Sequence, residues 1–201
     1  AHLAAAEALV ELGRTLEAKA ELPPPSPADD LQDIVYDTPA RVRVALALEH
    51  FEEALELGQR VAANDAVLIF PKTVALGVEA LLAGGARNEA EALLNRARGA
   101  STELGEAALA VAEGRILLAD GNAIEAEPMF ESALRELEGS ELRLWTWQAH
   151  TLAAEAAAQT GDDGAARSLL ASCVREAHLA GAARLRDEAQ ATALRLGLDL
   201  P

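Results

Sequence analysis

The chain has 201 residues, 51% of them hydrophobic but only 3% aromatic, and alanine, leucine, glutamate and arginine dominate it, which favours helices over a β-rich fold. With 17 basic against 33 acidic side chains the formal net charge is −16, so most of the surface repels a nucleic-acid backbone and direct nucleic-acid binding is excluded. The single cysteine, Cys173, excludes an intrachain disulfide framework and fits a reducing cytoplasm, and no run of about 18 uncharged apolar residues is present to cross a bilayer. No basic-then-apolar leader opens the chain, which starts at Ala1 already in helical pattern; a cytoplasmic fragment of a longer protein is expected.

In chain order, residues 2–13 carry apolar side chains at helical spacing, with Gly13 as the stop. A short helix over 15–22 ends at Pro23-Pro24-Pro25 and Pro27, because proline lacks the amide and clashes with the preceding turn. The weakly patterned 23–38 segment is either a degraded second helix or a boundary. Thr38-Pro39 then reads as N-cap and first helical residue. Helices are expected over 39–49, 51–63, 70–84 and 87–102, with breaks at Asn64-Asp65 and Gly84-Gly85. Gly105, Gly121 and Gly139 bracket helices near 106–120 and 122–138; in the latter Ala126, Phe130, Ala133, Leu134 and Leu137 form one buried stripe. A longer hairpin follows over 141–160 and 165–180, turned by Gly161–Gly164, and a polar helix over 182–196 closes the chain by covering the last apolar face.

The decisive pattern is repetition. Ala18, Ala54, Ala90 and Ala126 recur at intervals of 36, and Ala166 follows after 40. A fixed period of this size predicts an all-α solenoid of helical hairpins, with the small residue letting paired helices approach at their crossing. Residues 1–201 then form one repeat domain: an irregular first hairpin over 1–22, the proline-rich break, four hairpins over 39–180 and the closing helix over 182–196.

These residues resemble a tetratricopeptide (TPR) array, which places glycine in the turn, alanine five places later, a large apolar residue four beyond and a small one after three more. The third copy has Gly85, Ala90, Leu94 and Ala97; the fourth has Gly121, Ala126, Phe130 and Ala133, with Gly114 and Leu117 in the first helix; the fifth has Gly161, Ala166, Leu170 and Cys173. The second departs, with Glu49 for the turn glycine and Gly58 for the large residue, and the family's closing proline is missing throughout. The resemblance implies a right-handed superhelix of about five hairpins. Residues 40–61, the Gly85 and Gly121 hairpins and 181–198 also look like the helical-repeat region of large bacterial regulators of the LuxR or maltose-activator type. In those proteins an ATPase module precedes the repeats and a helix-turn-helix DNA reader follows, and the resemblance implies an effector-sensing or partner-binding arm between them. The alternative is a constitutive scaffold that binds a peptide or protein partner or associates with itself.

Catalytic, cofactor and metal chemistry find no support in the sequence. No G-x-x-x-x-G-K-[ST] phosphate loop occurs, and His2, His50, His150 and His178 have no ligand partner at helical spacing. Cys173 occupies a small-residue slot and is expected to be buried and inert. Trp145 and Trp147, two apart on a helix, point about 200° from each other. Either one packs in the core while the other lines a groove or interface, or both seal neighbouring hairpins. Carrying over the TPR family's inner positions gives Arg43, Lys72, Glu79, Arg115, Gln148, Thr151 and Glu155, to which Trp145 is added as a groove wall. The three cations would receive a carboxylate, phosphate or acidic peptide, unless they are solvated or paired with neighbouring glutamates.

If Ala126 is a helix crossing, Ala126→Phe should cost about 1–3 kcal/mol of stability through overpacking, and a substitution at Glu127 much less; equal melting temperatures for the two variants contradict the crossing.

Overall fold

The computed structural model describes residues 2–25, 30–99, 105–137 and 143–200. Among these residues there are helices and no strand: α1 (His2–Glu11), α2 (Thr15–Glu21), α3 (Thr38–Ala47), α4 (Phe51–Ala62), α5 (Pro71–Ala83), α6 (Arg87–Arg98), α7 (Glu106–Ala119), α8 (Ala123–Leu137), α9 (Arg143–Thr160), α10 (Asp163–Ala180) and α11 (Ala183–Arg195). The expected stop at Gly139, the start of the 141–160 helix and the end of the 87–102 helix fall outside the described residues. The chain divides into two compact units, Ala1–Ala112 and Glu113–Pro201, the division lying within α7.

The turns explain the period. After α1, α3, α5, α7, α9 and α11 the chain passes through one left-handed residue: Gly13, Glu49, Gly85, Gly121, Gly161 and Gly197, with φ between 58° and 90°. Each turn carries the same pair of bonds. Around Gly85, for example, Ala86 N–H bonds to the Leu81 carbonyl at 2.8 Å and Gly85 N–H to the Leu82 carbonyl at 3.0 Å. This double closure satisfies carbonyls that a helix end leaves open. Glu49, which breaks the glycine pattern, takes the same conformation at φ 58° and the same bonds, His50 N–H to Ala45 and its own N–H to Leu46. Gly197 lies 36 residues after Gly161, so α11 occupies the place of a first helix rather than a bare cap.

Packing repeats with the turns. Ala18, Ala54, Ala90, Ala126 and Ala166 are all fully buried. Within the first unit each helix packs on the next, and α1 on α3, α3 on α5 and α4 on α6; within the second, α8 packs on α9, α9 on α10, and α11 on both α10 and α9. Gly58 stands where other copies hold Leu94, Phe130 and Leu170, because α4 and α5 touch there: a Cβ on Gly58 would lie 3.0 Å from Leu81 and 3.1 Å from the Gly77 carbonyl oxygen. At Gly114 of α7 a Cβ would lie 2.4 Å from the Phe130 ring of α8, so this glycine makes room for the buried phenyl.

α3 begins at Thr38 with Pro39 in its first turn, but Thr38 is not the expected N-cap, because the chain before it is already helical. Helical chain begins at Leu31, behind Asp30, whose carboxylate accepts the Asp33 amide at 2.8 Å, and passes through a π-helical turn, Asp33–Asp37, straight into α3. Thr38 is itself helical, with φ −58° and ψ −42°. Pro39 therefore lies inside helical chain and offers no amide to the Val35 carbonyl. The wide turn shifts the bonding register, with Thr38 N–H reaching the Asp33 carbonyl, and the buried Thr73 hydroxyl of α5 donates to the Val35 carbonyl at 3.5 Å. Arg41 then ties the proline run down, donating to Asp37 Oδ2 at 2.5 Å and to the Pro23 carbonyl at 2.6 Å.

Three substitutions test this account. Glu49→Gly should raise stability by about 0.5–1 kcal/mol, and Gly85→Ala, where the space is open and only φ is strained, should lower it by about 1 kcal/mol. Gly114→Ala should cost about 1–3 kcal/mol by displacing Phe130. Denaturant midpoints read all three, and a Glu49→Gly protein no more stable than the parent contradicts the turn assignment.

Candidate functional site

The eight residues expected to face a groove divide between the two units. In the first, Arg43 is 8% exposed, its guanidinium lying 3.6 Å from Glu7 and 3.5 Å from Glu11 on α1. It braces α3 against α1 and presents no charge to a ligand. Lys72, in the first turn of α5 behind Pro71, is exposed, and Glu79 is half-buried two turns along. Seven residues bring a helix back to nearly the same face, about 10 Å further on, so Lys72 and Glu79 share a side of α5.

In the second unit Arg115 is half-buried on α7. On α9, Trp145, Gln148 and Thr151 are buried, and Glu155 is half-buried. Trp147 is buried as well and belongs to the core that α9 forms with α10 and α11. Both indoles are therefore buried. Trp147 Nε1 donates to Glu176 Oε2 of α10 at 3.2 Å, which satisfies its polar edge. Thr151 donates to the Trp147 carbonyl at 3.0 Å and lies 3.7 Å from the Cys173 thiol. Gln148 Oε1 is buried with no hydrogen-bond partner among the described residues. Glu155 accepts from Arg195 of α11 at 2.7 Å, and Arg195 also donates to the Thr192 hydroxyl at 3.0 Å.

The positions carried over on α9 thus meet α10 and α11. Sequence reasoning missed Glu176 as the partner of Trp147 and Arg195 as the partner of Glu155 because these lie 29 and 40 residues away and have no motif linking them to α9. Cys173 is buried as expected, and burial pushes its thiol above the ordinary range, with the Thr151 hydrogen bond opposing and Glu188 and Glu176 adding to the rise. His150, on α9, has a buried Nδ1 without a hydrogen-bond partner among the described residues. Burial lowers its pKa below the usual 6.5, and the nearby Glu176 carboxylate pulls the other way.

A separate recess of about 520 Å³ opens in the first unit between Ile34 of the π-helical turn and the end of α4, lined by Glu56, Gln59, Arg60, Ala63 and Asn64. None of the eight expected residues lines it. Its amides are engaged, Gln59 with Glu89 at 3.4 Å and Asn64 with the Ala66 amide at 3.0 Å. Among the described residues no three histidine, cysteine or acidic side chains converge to hold a metal ion, and no helix is long and apolar enough to cross a membrane.

His150 gives a pH test. Its folded pKa lies below its unfolded value, so the unfolded chain takes up a proton first as pH falls through about 6.5, and stability drops from there down to the folded pKa. His150→Gln should flatten the decline in urea midpoint between about pH 7 and pH 5; an unchanged slope contradicts the burial of a neutral imidazole.

No family model, curated protein or solved structure matches this chain.

Proposed function

We propose that this chain is a non-enzymatic, TPR-like helical-repeat module that senses an effector or binds a protein partner within a multidomain bacterial transcription regulator. The observation that carries the reading is the repeated hairpin: one turn geometry at Gly13, Glu49, Gly85, Gly121, Gly161 and Gly197, and one buried alanine after each of the first five. A TPR-like array of such hairpins is a right-handed superhelix whose inner wall is built from the first helix of each pair, a surface for gripping an elongated or small ligand. The neighbouring ATPase and DNA-reading modules belong to the same proposal, drawn from the resemblance of residues 40–61 and 181–198.

The ligand-facing set is narrower than the carried-over positions. Arg43 is buried against α1 and Glu155 is paired with Arg195 of α11, which leaves Lys72, exposed in the first turn of α5, as the carried-over charge most open to a ligand. An exposed lysine suits a carboxylate, a phosphate or an acidic peptide. Ligand binding then acts by population shift, favouring the arrangement of hairpins that it contacts best.

A thermal-stability screen of amino acids, nucleotides, sugars and short charged peptides tests this. A ligand at about 100 times its dissociation constant adds about 2.7 kcal/mol, which for a chain of this size raises the melting temperature by about 5–10 °C. Lys72→Glu should abolish the rise and leave the unliganded melting temperature unchanged. A flat screen, together with no co-purifying protein, overturns the reading.

A further inference from the structure

One stripe of α4 borders a recess where its counterpart on α6 is tied to the helix before it. At the 36-residue spacing Arg60 of α4 corresponds to Arg96 of α6. Arg96 reaches back to the end of α4, donating to the Ala62 carbonyl at 2.6 Å and lying 3.7 Å from Asp65. In the hairpin before α4, the second helix is short: α2 ends at Glu21 after seven residues, against twelve in α4 and α6. The stripe that carries Arg60 lines the recess of about 520 Å³, a volume in the range of small-ligand sites. Two hydrogen bonds set its polarity. Gln59 Nε2 donates to Glu89 at 3.4 Å, which leaves the Gln59 amide oxygen as an acceptor, and Asn64 Oδ1 accepts the Ala66 amide at 3.0 Å, which leaves Asn64 Nδ2 as a donor. With the exposed Glu56 carboxylate, acceptors gather at the N-terminal end of the stripe; with the Arg60 guanidinium, donors gather at the C-terminal end. The two ends are centred about 7 Å apart at 1.5 Å per residue. Ile34 and Ala63 add apolar surface.

We propose that this recess binds a small zwitterion whose ammonium and carboxylate stand about 5–7 Å apart, an ω-amino acid or a dipeptide. The ammonium sits on the Glu56 carboxylate and the Gln59 amide oxygen. The carboxylate takes hydrogen bonds from Arg60 and the Asn64 amide; a guanidinium has five N–H donors and can add a ligand oxygen to contacts it already makes. The methylene or peptide segment between the charges lies on Ile34 and Ala63. A ligand with a single charge answers only one end of the recess, and an α-amino acid is too short to reach both. Lys72 does not line the recess, so this site is separate from the effector contact on α5.

Calorimetric titration of the full chain with glycine, γ-aminobutyrate, δ-aminovalerate, ε-aminocaproate, glycylglycine, butyrate and butylamine tests the site. Affinity should peak at γ-aminobutyrate, δ-aminovalerate or glycylglycine, with glycine and the two singly charged probes weaker by about tenfold or more. Tighter binding of glycylglycine than of δ-aminovalerate assigns the site to a peptide, and the reverse order to an amino acid. Glu56→Gln should weaken the best probe by about tenfold and leave the unliganded melting temperature unchanged, because Glu56 is exposed. Ala63→Trp, also at an exposed position, should block binding by filling the recess. Lys72→Glu should leave it intact, which separates this site from the one on α5. Affinity that is flat along the series, binding that survives both Glu56→Gln and Ala63→Trp, or no heat from any probe up to about 10 mM overturns the proposal.

Discussion

The structure depends on how closely two antiparallel helices can approach. A hairpin of short helices has little apolar area, and its stability comes from bringing backbones near enough for small side chains to interlock. Fully buried alanines at positions 18, 54, 90, 126 and 166 meet that requirement once per hairpin. The left-handed turn before each sets the direction in which the second helix returns. Spacing between turn and alanine is constant, so one geometry is reused, and the few departures have local compensation. Gly58 lacks the bulk of its counterparts, yet Leu81 and Val61 fill the place where α4 meets α5. Gly114 yields its side-chain volume to Phe130.

The irregular segment before α3 follows from the same chemistry under a different constraint. A proline within helical chain removes one amide, and the freed Val35 carbonyl is buried at a helix interface. The π-helical turn moves the bonding register by one residue, and the Thr73 hydroxyl reaches the orphaned acceptor from α5. Arg41 meanwhile joins Asp37 to the Pro23 carbonyl, so the proline run is held against α3 by a charge-assisted bridge. Pro128, in an exposed position of α8, needs no such device, because water can reach the carbonyl it leaves unpaired.

Buried polar side chains show why positions taken from a family pattern do not by themselves make a site. Arg43 and Thr151 stand where a TPR ligand wall would place them, yet each is drawn into an interface between helices. For Arg43 the cause is the pair of carboxylates on α1, which meet a guanidinium that would otherwise be buried alone. For Thr151 the contact across helices is the Cys173 thiol of α10 at 3.7 Å, while its hydroxyl bonds back to the Trp147 carbonyl of its own helix. Of the carried-over charges, Lys72 of α5 is the exposed one.

Period, helix class and turn positions were legible in the sequence because they depend on local chemistry: glycine spacing, helical apolar stripes and small residues at fixed offsets. The sequence also identified Cys173 as a buried small residue and Asn64-Asp65 as a break. It did not show that Glu49 adopts the glycine conformation, since only the surrounding turn bonds make that strained φ the cheaper choice. Nor did it show Pro39 inside a helix or Arg43 beneath α1, because each depends on a partner from another helix: Thr73 lies 38 residues from Val35, and Glu7 lies 36 from Arg43. Tertiary structure decided which polar groups were buried and with whom, since the desolvation cost of a charge or carbonyl is set by whatever packs against it, and that is not encoded in the neighbouring residues.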